Sequence, residues 1–362
     1  MNPGKGRITE GRARHGSLLG RDRIYSGLLP YFIWQWRYRL QLLLKFCCID
    51  RCDFYRLYQS KSCSKEDKNM AIFKGCGVAL ATPFLSDGSI DFKRYEELIE
   101  WQISEGIDAI ISCGTTGEAS TTNDEEHIKI IKFCVDVTAG RVPVIAGVGS
   151  NDTRHGIDLA VEAEKTGADA LLLVTPYYNK CSQEGLIRHY NVTADSVNIP
   201  SILYSVPGRT AVNIAPQTVK ELAKNPKIVA IKEASGNIAQ VAEIARLVPE
   251  GFGIYSGNDD MVVPLMSLGG IGYISVVANV APADSVKMTK SYFDGDIETA
   301  RKLQLDMKPL IDALFADVNP IPVKMALSMM GKCLPVYRLP LCPPSEAVTE
   351  RIRHEMTAYG LI

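Results

Sequence analysis

The chain has 362 residues, 46% of them hydrophobic and 22% charged, with a formal net charge of −1. That composition belongs to a soluble globular protein with ample core material, and near-neutrality argues against a polyanionic partner such as nucleic acid. The charge is unevenly spread, because residues 1–69 hold 14 Lys and Arg against 6 Asp and Glu, and the remainder 26 against 35.

Residues 1–69 show no sustained helical or strand period. Their most apolar stretch, Leu28 to Ile49, is broken by Arg37, Arg39 and Lys45, which argues against a membrane span; it also lies too far in, with no small-residue cleavage site after it, for a cleavable signal. Cys47, Cys48, Cys52 and Cys63 lie here without a paired zinc spacing. A basic tail for RNA or a membrane surface is one reading. A simpler one comes from "KEDKN" before Met70, which can be encoded with the purine run AGGAGG that precedes bacterial start codons. The expected native start is therefore Met70, with 1–69 a translated leader set apart from the fold.

From Met70 eight apolar or β-branched runs follow: GVALATP (from Gly77), AIISCG (Ala109), VPVIAGV (Val142), ALLLVTP (Ala170), SILYSV (Ser201), IVAIKEA (Ile228), FGIYSG (Phe252) and GYISVV (Gly272). Their starts are 32, 33, 28, 31, 27, 24 and 20 residues apart, room for a strand, a helix and two turns. Near-continuous apolar strands are those of a parallel sheet covered by helices. The segment "FKRYEELIEWQISEG" predicts a helix burying Tyr95, Leu98, Ile99, Trp101 or Gln102, and Ile103. Gly106 and Gly167 stand where helices stop, and Thr122 with Glu125 has capping-box spacing.

Eight βα units predict a (β/α)8 TIM barrel over residues 70–295. The alternative, a doubly wound open sheet, wants G-x-G-x-x-G after the first strand, which is absent. "DIETARKLQLDMKPLIDALFA", "NPIPVKMALSMMG" and "PPSEAVTERIRHEMTAYG" then predict a small C-terminal helical domain, 296–362.

In such barrels chemistry sits at the C-terminal ends of the strands. Lys232 stands near the end of the sixth run. Loss of hydration inside a barrel favours a neutral amine, which condenses with a carbonyl to a Schiff base. The plain alternative is a rim lysine paired with a carboxylate such as Glu118. "GTTGE" after the second strand offers backbone N–H groups and the hydroxyls of Thr115 and Thr116 to a small anion, or is simply a turn. Tyr204 offers a phenol for proton transfer, or packs; the same holds for Tyr177 and Tyr178. Arg209 suits a carboxylate, or faces water. Together they describe class I aldol chemistry. A 2-oxo acid forms an imine on Lys232, and its enamine attacks an aldehyde. No metal-ligand cluster stands out, and histidines number only five.

"GTTGE", "VTPYYN", "LYSVPGRT", "IKEASG" and "SGND", in this order on five strand ends, resemble the dihydrodipicolinate synthase family within the N-acetylneuraminate lyase superfamily. The resemblance spans Met70 to the C-terminus. It implies condensation of pyruvate with L-aspartate 4-semialdehyde, without cofactor, in diaminopimelate and lysine biosynthesis. It implies Lys232 as the Schiff-base lysine and Thr116 on the pyruvate carboxylate. Thr115, Tyr178 and Tyr204 match a proton relay in which Tyr178 crosses a subunit interface. Arg209 matches the receiver of the semialdehyde carboxylate, and Gly257 and Ile274 match backbone contacts near the imine. A homotetramer of tight dimers is implied. A sugar-acid or sialic-acid aldolase and a non-catalytic 2-oxo-acid-binding barrel are the alternatives; the arginine of "VPGRT" and the intact lysine and tyrosines speak against them.

Ser120, His127, Asn151, His155 and Tyr177 match positions of an allosteric lysine site. A histidine at 155 replaces the family's ammonium-binding glutamate, so weak or absent lysine inhibition is expected. Cys76, Cys113, Cys134, Cys181, Cys333 and Cys342 show no disulfide-framework spacing, which fits a cytoplasmic protein.

Overall fold

The computed structural model describes residues 71–362. The expected leader, with its four cysteines and the start at Met70, lies outside the described residues. Eight strands follow in order: β1 Gly75–Ala79, β2 Ala109–Ser112, β3 Val144–Gly147, β4 Ala170–Val174, β5 Ser201–Ser205, β6 Ile228–Glu233, β7 Gly253–Ser256 and β8 Gly272–Ser275. Each pairs in parallel with the next, and β8 returns to β1, so the sheet closes into a barrel.

Strand alternation divides the apolar residues between two layers. Ala79, Ile111, Ile145, Leu172, Ile202, Ala230, Tyr255 and Ile274 fill the barrel interior. Val78, Ile110, Val144, Leu171, Leu203, Ile231 and Ile254 join the outer layer under the helices. Each fully buried Ile or Leu contributes about 1.5–3 kcal/mol relative to exposure.

The helices between strands are α1 Phe92–Ser104, α2 Asp124–Thr138, α3 Thr153–Lys165, α4 Gln183–Asp195, α5 Pro207–Thr210, α6 Pro216–Leu222, α7 Ile238–Leu247 and α8 Val262–Ser267, with α9 Pro282–Phe293 after β8. Helix α1 buries Tyr95, Leu98, Ile99 and Gln102. Gln102 rather than Trp101 turns inward because its Nε2 donates to the Ala278 carbonyl at 2.8 Å. Gly106 and Gly167 sit just past α1 and α3 with φ of +86° and +90°, a conformation glycine adopts without strain. The capping box of α2 lies one residue later than the spacing predicts. Asn123 Oδ1 accepts from Glu126 N, and Glu126 Oε2 from Asn123 N, whereas the Thr122 hydroxyl donates to the Ala119 carbonyl and closes a preceding turn.

After Gly295 come α10 Ile297–Asp306, α11 Lys308–Leu314, α12 Ile321–Met329 and α13 Glu346–Tyr359. Helices α11 and α12 pack on α13 and touch the short turn after β8. That brings the α11–α12 connection to the mouth of the barrel. No helix among the described residues is long and apolar enough to cross a membrane.

Candidate active site at the mouth of the barrel

Lys232 shares the inward parity of Ala230 on β6, one residue from the strand's C-terminal end. It is 5% exposed. The parallel register sets Tyr204 of β5 on one side and Tyr255 of β7 on the other. Lys232 Nζ lies over the Tyr204 ring, 4.4 Å from its centroid. Glu118 is not its partner, because that carboxylate is fully buried in an ion pair with Lys324 of α12.

Gly257, just past β7, keeps room for the lysine. A Cβ there would stand 2.6 Å from Ala234 Cβ and 3.1 Å from Lys232 Cε. Gly257→Ala is expected to push Lys232 aside and lower kcat by roughly 10²-fold, the cost of misplacing a reacting group by about 1 Å. Steady-state kinetics beside a circular-dichroism melt tests this; unchanged kcat in a folded variant would refute it.

The "GTTGE" segment is a tight turn, with Gly117 N donating to the Gly114 carbonyl and Glu118 N to that of Thr115, both at 3.1 Å. Among the described residues no acceptor takes the N–H groups of Thr115 and Thr116. With the two hydroxyls they make a cradle of donors of the kind a small anion needs. Arg209, on α5, donates from Nη2 to the Asn319 carbonyl at 3.1 Å. Thr115, Thr116, Tyr204, Arg209, Lys232 and Gly257 line one cavity of about 320 Å³, the size of a small-ligand site.

Two expected site residues stand apart from this cavity. Ile274 is fully buried in the packed barrel interior. Tyr178 is 90% exposed, with φ +72°. With Tyr177 and Lys180 it rims a shallow hollow beside Arg209, so a single chain does not bring it to Thr115 and Tyr204.

A second cavity of about 320 Å³ shares Thr115, Tyr204 and Arg209 with the first, and Ser120, His127, His155 and Tyr177 line it. Asn151 stays outside its wall, its carbonyl accepting from Asn179 Nδ2 at 2.8 Å. Burial pushes the His127 imidazole pKa down, and its Nε2 bonds the Gly147 carbonyl at 2.7 Å. His155 Nε2 lies 3.0 Å from Asp124 Oδ1. A carboxylate therefore does stand here, supplied by the first turn of α2, where no reading of position 155 would find it.

Asp259 is the last residue of "SGND" and carries no assigned role in the motif. It is fully buried, and its carboxylate accepts from Val276 N and Val277 N at 3.0 Å. Burial pushes its pKa up to about 6, against hydrogen bonds from Ser275 and this backbone and the nearby Lys232. The folded state thus holds this proton more tightly than the unfolded chain, whose aspartate pKa is about 3.9. The group's stabilising contribution is full below that value and is lost as pH rises through about 6. Asp259→Asn is expected to lose less thermal stability than wild type between pH 4 and pH 7. Equal losses in both proteins would remove the assignment.

An inward lysine at a strand end, an anion cradle and a guanidinium around one barrel mouth define the class I aldolase type of site. Comparison narrows the class. The dihydrodipicolinate synthetase family model matches residues 72–359. A 4-hydroxy-tetrahydrodipicolinate synthase of Thermoanaerobacter sp. (strain X514) is 53% identical over 294 residues, covering 81% of this chain and 99% of that protein. A crystal structure of a dihydrodipicolinate synthase is 47% identical with a TM-score of 0.78, covering 80% of this chain and all of that one (100%). The chloride-inhibited dihydrodipicolinate synthase from Acinetobacter baumannii complexed with pyruvate is 43% identical with a TM-score of 0.79, covering 81% of this chain and 100% of that one. The chain belongs to the dihydrodipicolinate synthetase family.

Proposed function

We propose that this chain condenses pyruvate with L-aspartate 4-semialdehyde to 4-hydroxy-tetrahydrodipicolinate through a Schiff base on Lys232, as a lyase of diaminopimelate and lysine biosynthesis. The observation that carries the reading is Lys232 sharing one small cavity with the free N–H groups of Thr115 and Thr116. Lys232 Nζ attacks the pyruvate carbonyl, and water leaves. The cradle with Thr116 holds the carboxylate. The cationic imine acidifies the pyruvate methyl, which gives up a proton to form the enamine. The enamine carbon bonds the aldehyde carbon of the semialdehyde, whose oxygen takes a proton from Tyr204. The amine of the adduct then attacks the imine carbon, closes the ring and releases Lys232.

Arg209 receives the semialdehyde carboxylate, and Thr115 passes protons with Tyr204. Gly257 supplies a backbone contact near the imine from the cavity wall, and Ile274 one from the barrel interior outside that wall. Tyr178, exposed in one chain, completes the relay of a second copy in a homotetramer of dimers. Asp259 offsets the cationic imine. A longer sugar acid fits a cavity of about 320 Å³ with a terminal arginine less well.

Borohydride reduction with pyruvate, followed by peptide mapping, tests the reading. A reduced adduct on Lys232 is expected. Its absence on folded protein would discard the reading in favour of a silent binding barrel.

Ser120, His127, Asn151, His155 and Tyr177 are proposed as a lysine-responsive region. A lysine ammonium would have to displace His155 from Asp124, so inhibition is expected to stay weak. Half-inhibition by sub-millimolar lysine would contradict this.

A further inference from the structure

The cavity has a member that the motifs do not touch. Asn319, in the α11–α12 connection, is 5% exposed and lines the cavity beside Lys232. Its Nδ2 donates to Thr116 Oγ1 at 3.0 Å. Its backbone carbonyl accepts from Arg209 Nη2 at 3.1 Å. Its own Oδ1 is buried and has no partner among the described residues.

A hydroxyl has one proton to give. Because Asn319 supplies the hydrogen to Thr116 Oγ1, the Thr116 proton is left to donate elsewhere, and the open direction is the cavity. The same residue, through its main chain, tethers the guanidinium across the cavity. We propose that Asn319 is a positioning residue. Its side-chain amide orients the Thr116 hydroxyl as a donor to the carboxylate of the 2-oxo acid, and its carbonyl separately fixes Arg209. This rests on the reading of Lys232 and the cradle given above.

The two roles separate experimentally, because a side-chain substitution leaves the carbonyl in place. Asn319→Ala is expected to raise the pyruvate concentration for half-maximal borohydride trapping by about tenfold, the worth of one hydrogen bond to an ionised group. The KM for the semialdehyde should change by less than about threefold on the same scale. Thr116→Val should raise half-saturating pyruvate similarly. The double variant should be no worse than the worse single one, since both remove the same bond. Asn319→Leu, close in volume, carries the same cycle if the alanine variant does not fold.

Effects that multiply in the double variant, or equal damage to both substrates, would overturn the proposal. Absence of any trapped adduct in the wild type would instead overturn the Lys232 reading, and this inference with it.

Discussion

Lys232→Ala is expected to abolish turnover, a loss on the order of 10⁴-fold or more, and to abolish the borohydride-trapped pyruvate adduct. Lys232 is the single amine side chain lining its cavity among the described residues, the other cation there being Arg209. Neither Lys232→Arg nor Lys232→Met can form the imine, since a guanidinium stays protonated and a thioether has no nitrogen. The fold should survive. The lysine makes no strand hydrogen bond with its side chain, and an apolar replacement avoids the desolvation that a buried amine carries. Lys232→Met, which keeps most of the volume, is therefore expected to melt no lower than wild type. More than about 1% residual turnover, a loss of only ~10²-fold, would mean that a different group carries the chemistry.

Lys324→Met is expected to destabilise the protein by about 3–5 kcal/mol, because it strands a buried carboxylate. The Lys324 and Glu118 side chains are both fully buried. Lys324 Nζ also lies 4.0 Å from the centroid of Phe84. Burial pushes the Lys324 pKa down while the Glu118 charge works against that shift. Glu118 Oε2 further accepts from Arg338 N at 3.3 Å, and Arg338 forks onto both oxygens of Glu126. The pair thus ties α12 and the segment after it to the end of the "GTTGE" turn. On the usual scale for a chain of this size the loss reads as roughly a 5–8 °C fall in melting temperature. Glu118→Gln together with Lys324→Met should recover most of it, since no unpaired charge then stays buried and an amide oxygen can still accept from Arg338 N. A single variant as stable as the double would show that the pair contributes little. Pyruvate saturation should weaken in the single variant as well, because Glu118 anchors the turn that carries Thr115 and Thr116.

Much of this architecture was legible locally. The eight apolar runs correspond to the eight strands, because parallel strands buried on both faces leave continuous β-branched segments that any register preserves. Strand parity alone predicts that Lys232 faces inward with Ala230. Helix ends were legible to within a residue. At the start of α2 the Thr122 hydroxyl is taken by the Ala119 carbonyl, which leaves the cap to the Asn123 side chain.

What only the tertiary structure decided are pairings between residues far apart in the chain. Asn319 reaches Thr116 across 203 residues, Lys324 reaches Glu118 across 206, and Asp124 meets His155 across 31. Neither Gln102 nor Asp259 could be assigned before the loop after β8 was in place to receive the one and donate to the other. Periodicity records how each element meets the core. A buried polar group must instead find one particular partner, and nothing in its neighbouring residues says which element will bring it.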